Sequence, residues 1–360
     1  MNLTPLNSWH HSNNGRMVDF AGWQMPVQYS SIVDEHTAVR TRAGLFDISH
    51  MGRLTFTSDH AGDFLNSVLT NDTAKMKAGE IRYSLVCRED GGILDDVLVY
   101  RLPDQWILVV NASNREKIVA WLRRQSGFDH CGFDDQTLAT GMIAVQGPAA
   151  IRIANQLLGQ DVSCMKYYSG QVLTYAGITG LVSRTGYTGE DGVELTLPAE
   201  ETERIWCRLL ELGNDAGVVA AGLGCRDTLR LEAAMPLYGH ELSESVDPLT
   251  AGLAFAVKLT KSSFVGRDAI LAIRERGLQL QRVGLQLESR RIAREETPVT
   301  LNGQVVGKVA SGTFSPTLQQ TIAMAYVPCN LSTAGTELQV DLRGTMVPAT
   351  VVPLPFYRRS

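Results

Sequence analysis

The segment Arg184-Thr185-Gly186-Tyr187-Thr188-Gly189-Glu190-Asp191-Gly192-Val193-Glu194 joins two stretches of sequence that have the character of β-strands. These stretches are residues 178–182 and residues 193–197, and in the second of them apolar residues alternate with other residues. The three glycines between the strands allow the backbone to turn tightly. We therefore predict two strands joined by a loop that carries more acids and aromatic groups than a turn requires.

Two side chains of this segment have the chemistry to hold a flat, hydrogen-bonding ligand. Val193 and Leu195 point to one face of their strand, so Glu194 points to the other face, either to solvent or into a pocket. A carboxylate in a pocket can accept two parallel N–H bonds from an amidine-like ring edge, such as that of a pterin. Tyr187, at the loop tip, can stack on the same ring or hydrogen-bond to it. These residues alone identify no ligand.

The composition of the chain excludes several classes of protein. Its 360 residues are enough for two or three domains, and its mean hydropathy of −0.04 is ordinary for a globular protein. No run approaches the roughly 18 apolar residues of a membrane helix, and the start of the chain lacks a signal-peptide core, so we predict a cytoplasmic enzyme without membrane contact. The net charge of −5 arises from interspersed acids and bases, which argues against a nucleic-acid partner.

The cysteines and histidines predict no metal site. The six cysteines are far apart and form no Cys-x-x-Cys pair, and the seven histidines include no His-Glu-x-x-His motif. We interpret the cysteines as scattered reduced thiols and His10-His11 as a polar pair near the N-terminus.

Strand and helix patterns alternate along the chain together with hairpins, which is typical of an α+β fold rather than a doubly wound parallel sheet. The clearest predicted elements are helices at 31–42, 61–70, 114–124 and 267–276 and a hairpin at 81–100. After the last of these helices, residues 281–357 consist of short strands broken by turns, as in a small all-β barrel. We therefore predict two regions, 1–275 and 281–357, and the second is the barrel.

Two adjacent aspartates, Asp95 and Asp96, stand in the apolar second strand of the predicted hairpin. Aspartate is disfavoured in strands. The pair therefore marks either an edge or bulge, or a carboxylate in an apolar wall whose pKa is tuned by burial. If the turn has two residues, Asp96 shares a face with Tyr83, Leu98 and Tyr100. On that condition we favour Asp96 as the working acid.

The segment 221–232 begins with a Gly-x-Gly turn that leads into a predicted helix. It lacks the third glycine and the preceding strand of a dinucleotide-binding fingerprint, so we do not expect a Rossmann site. Arg226 lies near the helix N-terminus, where the helix dipole disfavours a cation by a few tenths of a kcal/mol to ~1 kcal/mol. An anionic partner would offset this cost, either from a ligand or from Asp227, Glu190 or Asp191.

Taken together, these segments resemble the glycine cleavage T-protein (aminomethyltransferase) family along essentially the whole chain. Many motifs in family order and at family spacing are a strong signal, although each alone is weak. The stretches that carry the resemblance are 17–23 (MVDFAGW), 44–52 (GLFDISHMG), 83–100, 109–112 (VVNA), 184–194, 221–242, 311–317 (SGTFSPT) and 355–359 (PFYRR).

The resemblance implies a three-domain folate-binding fold, in which region 1–275 forms two interleaved α+β subdomains and the C-terminal domain is an all-β barrel. It also implies that an aminomethyl group on the lipoyl arm of the H-protein passes to tetrahydrofolate. The products are 5,10-methylenetetrahydrofolate, ammonia and dihydrolipoyl H-protein. Because an aminomethyl thioether is a masked iminium, its transfer needs a nucleophilic folate nitrogen, a nearby carboxylate and exclusion of water. No metal is required.

The resemblance also implies roles for single residues. Asp96 matches the catalytic acid that activates and positions the folate amines. The residues in matching stretches that are expected on the folate side are Met51, Tyr83, Leu98, Tyr100, Asn111, Tyr187, Glu194 and Arg226. A C-terminal arginine completes the set, and both Arg358 and Arg359 fit this position.

Two other classes of protein are alternatives. One is a tetrahydrofolate-dependent demethylase of a small amine or sulfonium compound on the same fold, which segments 187–194 and 226–241 resemble less closely. The other is a binding-only relative that assists iron–sulfur assembly. That relative is expected to carry a Lys-Gly-Cys-Tyr type motif where this chain has Arg-Thr-Gly-Tyr.

Overall fold

The computed structural model describes residues 1–359, in which helices and strands alternate along the chain. Apart from short 3₁₀ turns, the helices are α1 (Asn7–Ser12), α2 (Ile32–Thr41), α3 (Ala61–Val68), α4 (Arg115–Leu122), α5 (Ala150–Leu158), α6 (Thr202–Gly213), α7 (Leu223–Glu232) and α8 (Arg267–Arg276). Within residues 1–359, every helix is too short or too polar to cross a lipid bilayer.

The strands form four sheets, one of which closes into a barrel. In chain order the strands are β1 (Asn2–Leu3), β2 (Arg16–Phe20), β3 (Trp23–Gln28), β4 (Gly44–Asp47), β5 (Gly52–Phe56), β6 (Ile81–Cys87), β7 (Ile93–Arg101), β8 (Trp106–Val110), β9 (Phe133–Asp135), β10 (Thr140–Gln146), β11 (Gly170–Tyr175), β12 (Ile178–Ser183), β13 (Gly192–Pro198), β14 (Val219–Ala220), β15 (Leu280–Leu287), β16 (Pro298–Leu301), β17 (Gln304–Ser315), β18 (Gln320–Pro328), β19 (Glu337–Asp341) and β20 (Met346–Val352).

The chain divides into two compact units, and neither is a single continuous segment. The first unit consists of Met1–Ser84 and Val97–Arg226. The second consists of Leu85–Asp96 and the chain from Asp227 onwards. The chain therefore passes from one unit to the other within β6, β7 and α7.

The core of the first unit lies between two helices and a sheet of strand order β11-β12-β13-β10-β4-β14. Helices α5 and α6 are amphipathic, and they pack buried side chains such as Ile153 and Trp206 against this sheet. Val193 and Leu195 of β13 face the same core. Because side chains alternate along a strand, Glu194 faces the other side of the sheet.

Helix α2 of the first unit begins where the sequence predicts a helix. The Ser31 side chain accepts a hydrogen bond from the Asp34 amide at 3.1 Å and so caps the first turn. Glu35 is almost fully buried, and its Oε1 accepts hydrogen bonds from the amides of Tyr29 and Ser30 at 2.6 and 3.0 Å. Glu35 thus fixes the chain that leads into the helix.

The turn between β6 and β7 is longer than the two-residue turn considered from the sequence. The Arg88 amide donates to Gly92 O at 2.8 Å, and the Gly91 amide donates to Arg88 O at 3.0 Å. Three residues therefore connect the strands, and Gly91 adopts a left-handed conformation with φ 89°. This is the geometry of a turn followed by a glycine bulge. The assumption of a two-residue turn was wrong. The placement of Asp96 on the same face as Tyr83, which depended on that turn, therefore no longer follows.

The second unit is built on a closed six-stranded barrel of order β15-β18-β17-β16-β19-β20. Val283, Leu285 and Leu287 alternate along β15 and are buried in the barrel core. The predicted α+β fold class with a C-terminal all-β barrel is therefore confirmed. The exact limits of the predicted regions, 1–275 and 281–357, stay a prediction.

The tip of the β6–β7 hairpin packs within this second unit. The Ile93 amide donates to Val246 O at 3.1 Å, and the Tyr238 hydroxyl donates to Ile93 O at 3.1 Å. A Cβ atom on Gly92 would lie 2.1 Å from Glu244 O. Only glycine therefore permits this close approach of two backbones.

Candidate active site

The loop between β12 and β13 is shaped around Gln146, a buried residue of the neighbouring strand β10. Its Nε2 donates to Thr185 O at 3.1 Å, and its Oε1 accepts from the Thr188 hydroxyl at 2.9 Å. A Cβ atom on Gly186 would lie 2.1 Å from Gln146 Oε1, so the loop needs glycine there to close over this side chain. Sequence reasoning missed Gln146 because it lies far from the loop along the chain.

Glu190 and Asp191, the two acids near the loop tip, anchor the loop to its surroundings. Arg40 of α2 donates to Glu190 Oε1 at 2.8 Å and to Thr188 O at 2.7 Å, and this ion pair is buried. Arg184 donates to Asp191 Oδ1 at 2.5 Å and also to backbone carbonyls of residues 162, 163 and 165. Glu190 and Asp191 therefore pair with these arginines rather than with Arg226.

Glu194 lies in the middle of the six-stranded sheet and is 6% exposed. It pairs with Ala144 on one neighbouring strand and with Ser183 on the other. The Thr185 hydroxyl donates to its Oε2. Burial raises the pKa of the Glu194 carboxyl, while the Thr185 hydrogen bond and the charge of Arg226 act in the opposite direction. The structure thus decides against the solvent-facing alternative for Glu194.

Arg226 stacks on Tyr187 at the end of the same loop. Its guanidinium carbon lies 4.6 Å from the centre of the Tyr187 ring, which is a cation–π contact. Burial lowers the pKa of Arg226, and the nearby Tyr187 and Glu194 oppose this shift. The third acid suggested as its partner, Asp227, pairs with Arg230 at 2.8 Å. The structure therefore brings together three predicted site residues, Tyr187, Glu194 and Arg226.

The N-terminal turn of α7, which carries Arg226, is held in place by close backbone packing. The Gly222 amide donates to Glu35 Oε2 at 2.9 Å. A Cβ atom on Gly222 would lie 2.4 Å from the carbonyl group of Val27, so the Gly-x-Gly sequence serves packing. Sequence reasoning missed the second role of Glu35, because its partner lies far along the chain.

Met51, Leu98 and Tyr100 lie together in one apolar cluster of the first unit. Tyr100 is buried, and its hydroxyl lies close to the side chains of Ser183 and Thr185, which act against the rise in its pKa. Burial and the charge of Glu194 raise the pKa of Tyr100. Tyr100 is therefore a neutral phenol beside a buried acid.

Of the two other predicted residues of the first unit, one lies on a strand and the other directly after a strand. Tyr83 is half-buried on β6, and its carbonyl accepts a hydrogen bond from Asn71 Nδ2 at 2.9 Å. Asn111 is half-buried directly after β8, and its carbonyl accepts from the Asn114 amide at 3.0 Å. These bonds fix the backbone at both positions.

The predicted catalytic acid and the C-terminal arginines belong to the second unit. Asp95 is fully buried, whereas Asp96 is half-buried on β7. Burial raises the pKa of Tyr238, and the charges of Glu244 and of both aspartates add to this shift. Tyr238 and the two aspartates are therefore electrostatic neighbours. Arg358 and Arg359 are both exposed.

Within the described residues 1–359, the cysteines and the potential metal ligands are not arranged as a disulfide or a metal site. In residues 1–359 the cysteines form no disulfide. Over the same residues, no group of three or more His, Cys, Asp or Glu side chains is arranged to hold a metal ion.

The chain is similar to known proteins over its full length. Residues 6–261 match the GCVT N-terminal domain, and residues 281–358 match the glycine cleavage T-protein C-terminal barrel domain. An aminomethyltransferase of Streptomyces avermitilis is 49% identical over 99% of this chain and 98% of its own length. An aminomethyltransferase of Symbiobacterium thermophilum is 46% identical over 99% of this chain and 97% of its own length.

A solved structure shows the same similarity in three dimensions. The crystal structure of glycine cleavage system aminomethyltransferase T from Bartonella henselae matches with a TM-score of 0.93 and 34% identity. The match covers 99% of this chain and 98% of that chain. The fold, the full-length sequence identity and both domain matches agree, and the chain therefore belongs to the glycine cleavage T-protein family of aminomethyltransferases.

Proposed function

We propose that the protein transfers the aminomethyl carbon from the lipoyl group of the H-protein to tetrahydrofolate, with release of ammonia, 5,10-methylenetetrahydrofolate and dihydrolipoyl H-protein. Membership of the family supports the aminomethyltransferase activity. The choice of folate as acceptor and of the lipoyl protein as donor is our proposal. It rests on the chemistry of the polar groups that the first unit leaves available.

The observation that carries the proposal is the state of Glu194. The structure gives its carboxylate one side-chain hydrogen bond within residues 1–359, from Thr185 to Oε2. Burial penalises the charged form of this acid. Two N–H donors on the edge of a reduced pterin would stabilise the carboxylate, and Glu194 would then discriminate strongly for a ring with that donor pair.

The neighbours of Glu194 suit the same ligand. The Arg226 guanidinium stacks on Tyr187 rather than forming an ion pair with the acids of the loop. Tyr100 lies beside the Glu194 carboxyl, whose charge helps to raise the pKa of its phenol. We propose that Tyr187, Glu194, Arg226 and Tyr100 bind the polar groups of the folate. The apolar surface would come from Met51 and Leu98, with Tyr83, Asn111 and one of Arg358 and Arg359 as further contacts.

We propose Asp96 as the catalytic acid. It is half-buried, and by strand alternation it lies on the same side of β7 as Leu98 and Tyr100. Tetrahydrofolate supplies the nucleophilic nitrogen that accepts the carbon. A carboxylate held away from bulk water can stabilise the positive charge that develops on the transferred group and can position the acceptor amine. The protein residues thereby orient the reactants and exclude water.

Replacement of Asp96 by asparagine tests this assignment. Asparagine keeps the shape of the side chain but removes the charge, so we expect Asp96→Asn to retain tetrahydrofolate binding. Turnover with aminomethylated H-protein should fall by roughly 10²- to 10⁴-fold, the usual contribution of a general acid–base group. The measurement is formation of methylenetetrahydrofolate together with a titration of tetrahydrofolate binding.

Asp104→Asn is the matched control, because Asp104 is an exposed aspartate on the same chain. Near-normal turnover of the Asp96→Asn enzyme would refute the catalytic assignment. Absence of any methylenetetrahydrofolate from the unmodified protein would refute the proposed function itself.

A further inference from the structure

The first unit contains a second concave surface, a cleft of about 380 Å³. Its wall is formed by β1 and the residues that follow it, by β3, by the turn between β9 and β10, and by the start of α6. Among the described residues that line this cleft, none belongs to the folate contacts proposed above. Its volume lies within the range of roughly 300–1,000 Å³ that is common for small-molecule sites.

The cleft gathers apolar side chains from distant parts of the chain. Leu3 of β1 is 56% exposed and Leu138, in the turn before β10, is 63% exposed, and both line the cleft. The buried Trp23 of β3 lines it as well. Exposed apolar residues that share one concave surface, rather than lying singly, mark a ligand or partner site. The cleft therefore offers apolar contact to a ligand.

Two hydroxyls of the cleft wall are already engaged within the protein. The Ser49 hydroxyl donates to Met142 O at 3.3 Å and accepts from the Met142 amide at 2.9 Å. The Thr137 hydroxyl donates to Asp135 Oδ1 at 2.5 Å and accepts from the Arg53 amide at 3.0 Å. Polar recognition of a ligand therefore falls to the charged side chains of the cleft.

Those charged side chains are two carboxylates at the start of α6, Glu200 and Glu203. Both are exposed, and neither forms an ion pair within residues 1–359, whereas Glu201 beside them pairs with Arg204 at 2.6 Å. Over the same residues, no lysine, arginine or histidine lines the cleft. The helix dipole favours acids at this end of α6, but it does not neutralise them toward the cleft.

The charges buried behind the wall offset one another. Asp47 Oδ1 accepts from the Ser49 amide at 2.9 Å, and the Arg53 guanidinium donates to Ser49 O at 3.0 Å. Burial opposes ionisation of Asp47, but hydrogen bonds, chiefly with His10, lower its pKa. Burial lowers the pKa of Arg53 only to about 10. Both groups are therefore ionised near pH 7 with opposite sign, and the two glutamates make the cleft negative.

We propose that this cleft binds an organic cation, in which an ammonium group is joined to a small apolar body. The apolar body contacts Leu3 and Leu138, and the ammonium group lies near Glu200 and Glu203. A cleft lined by charge of one sign concentrates ligands of the opposite sign. The same carboxylates repel an anion, and a neutral compound of the same shape gains the apolar contact alone.

Three compounds of similar shape and different charge test the sign of the site. They are phenethylammonium, the neutral phenethyl alcohol and the anionic hydrocinnamate. We expect the full-length protein to bind the ammonium roughly 2- to 30-fold more tightly than the alcohol, as for two exposed charge pairs, and to bind the anion most weakly. Added salt should reduce this preference, because it screens exposed charges. The measurement is a ligand-observed NMR titration at low and at high ionic strength.

Substitutions locate the binding. Glu200→Gln combined with Glu203→Gln removes both charges and keeps the shape, so it should abolish the preference for the ammonium over the alcohol. Glu201→Gln is the matched control and should keep the preference, because Glu201 lies in the same turn but pairs with Arg204. Leu138→Ser should weaken the ammonium and the alcohol alike. Absence of saturable ammonium binding, equal binding of ammonium and alcohol, or an unchanged preference in the double variant would each overturn the proposal.

Discussion

At the scale of single residues, the buried carboxylate of Glu194 lies in surroundings that disfavour its charge unless hydrogen-bond donors reach it. Without a ligand, Thr185 donates the one side-chain hydrogen bond to this group within residues 1–359, and burial disfavours its ionised form. A ligand that brings N–H donors therefore gains more from this acid than it would gain from an exposed one. The same burial of the Glu194 carboxylate destabilises the ligand-free protein.

Replacement of Glu194 should separate these two effects. We expect Glu194→Gln and Glu194→Ala to weaken tetrahydrofolate binding by roughly 10- to 100-fold, because each loses hydrogen bonds to a charged acceptor. Removal of the poorly solvated carboxylate should leave the denaturation midpoint of the ligand-free glutamine variant unchanged or higher. Titration calorimetry and urea denaturation measure the two quantities.

The exposed Glu203, on α6 of the same unit, provides the control substitution Glu203→Gln. An unchanged dissociation constant in both Glu194 variants would reject its role in holding the pterin edge.

Residues that could be predicted from the sequence stand in locally unusual segments. Residues that could not be predicted act through distant partners. Glu194, Tyr187 and Arg226 could be predicted because their own segments look unusual, with an acid in an apolar strand or a cation at a helix start. Gln146 and Glu35 were missed because each acts through a partner about 40 to 190 positions away. Such partnerships are created by the fold and leave no local pattern.

At the scale of elements, the loop between β12 and β13 depends on helix α2. The ion pair between Arg40 and Glu190 joins these two elements, and both side chains are almost fully buried, at 6% and 5% exposure. Arg40 also donates to Thr188 O. Loss of one member of a buried pair leaves the other charge without compensation, which is more harmful than loss of an exposed pair.

Substitution of Arg40 tests this dependence. We expect Arg40→Ala to lower the free energy of unfolding by about 3–5 kcal/mol. Arg208→Ala should cost no more than about 1 kcal/mol, because the Arg208–Glu211 pair of α6 is exposed to water. Urea denaturation of both variants gives the comparison. Similar small losses in the two variants would show that Arg40 does not secure the loop.

Most of the helices were predictable from the sequence, whereas the turn after β6 was not. Helices α2, α3, α4 and α8 lie where propensity and periodicity place them. The turn after β6 was predicted one residue too short. The Asp90-Gly91-Gly92 sequence at this hairpin tip is compatible with several turn types. The packing of the tip on residues 238–246 selects the three-residue turn formed by residues 89–91.

At the scale of the whole molecule, the barrel was predictable and the division into units was not. Short strands between frequent turns predict a barrel because an all-β domain of this size has few other ways to cover its edges. The two compact units exchange chain within β6, β7 and α7. No local change in composition marks those crossings, since they occur inside regular elements.

The stability of the whole molecule should fall in mild acid through His50. Its pKa is lowered to about 3 in the folded protein, against about 6.5 in an unfolded chain. Above pH 6.5 neither state binds this proton. Below it only the unfolded state does, so stability is lost as the pH falls toward 3. At about 1.4 kcal/mol per pH unit, this amounts to about 2 kcal/mol at pH 5.

The measurement is the free energy of unfolding at pH 7.5 and pH 5.0 for the unmodified protein and for His50→Asn. We expect the unmodified protein to lose about 2 kcal/mol more than the variant. Other groups, such as Asp47, titrate in both proteins and cancel in the difference. Equal losses would mean that His50 is not kept neutral by the fold.

The discontinuous second unit has a consequence for synthesis on the ribosome. The hairpin tip, residues 85–96, leaves the exit tunnel about 130 residues before the rest of its unit begins at Asp227. At common elongation rates of about 5–20 residues per second, that interval is roughly 7 to 26 s. During this time the apolar Ile93 and Leu94 are without their final neighbours. Slower elongation would prolong the interval in which these two side chains are exposed without their final neighbours.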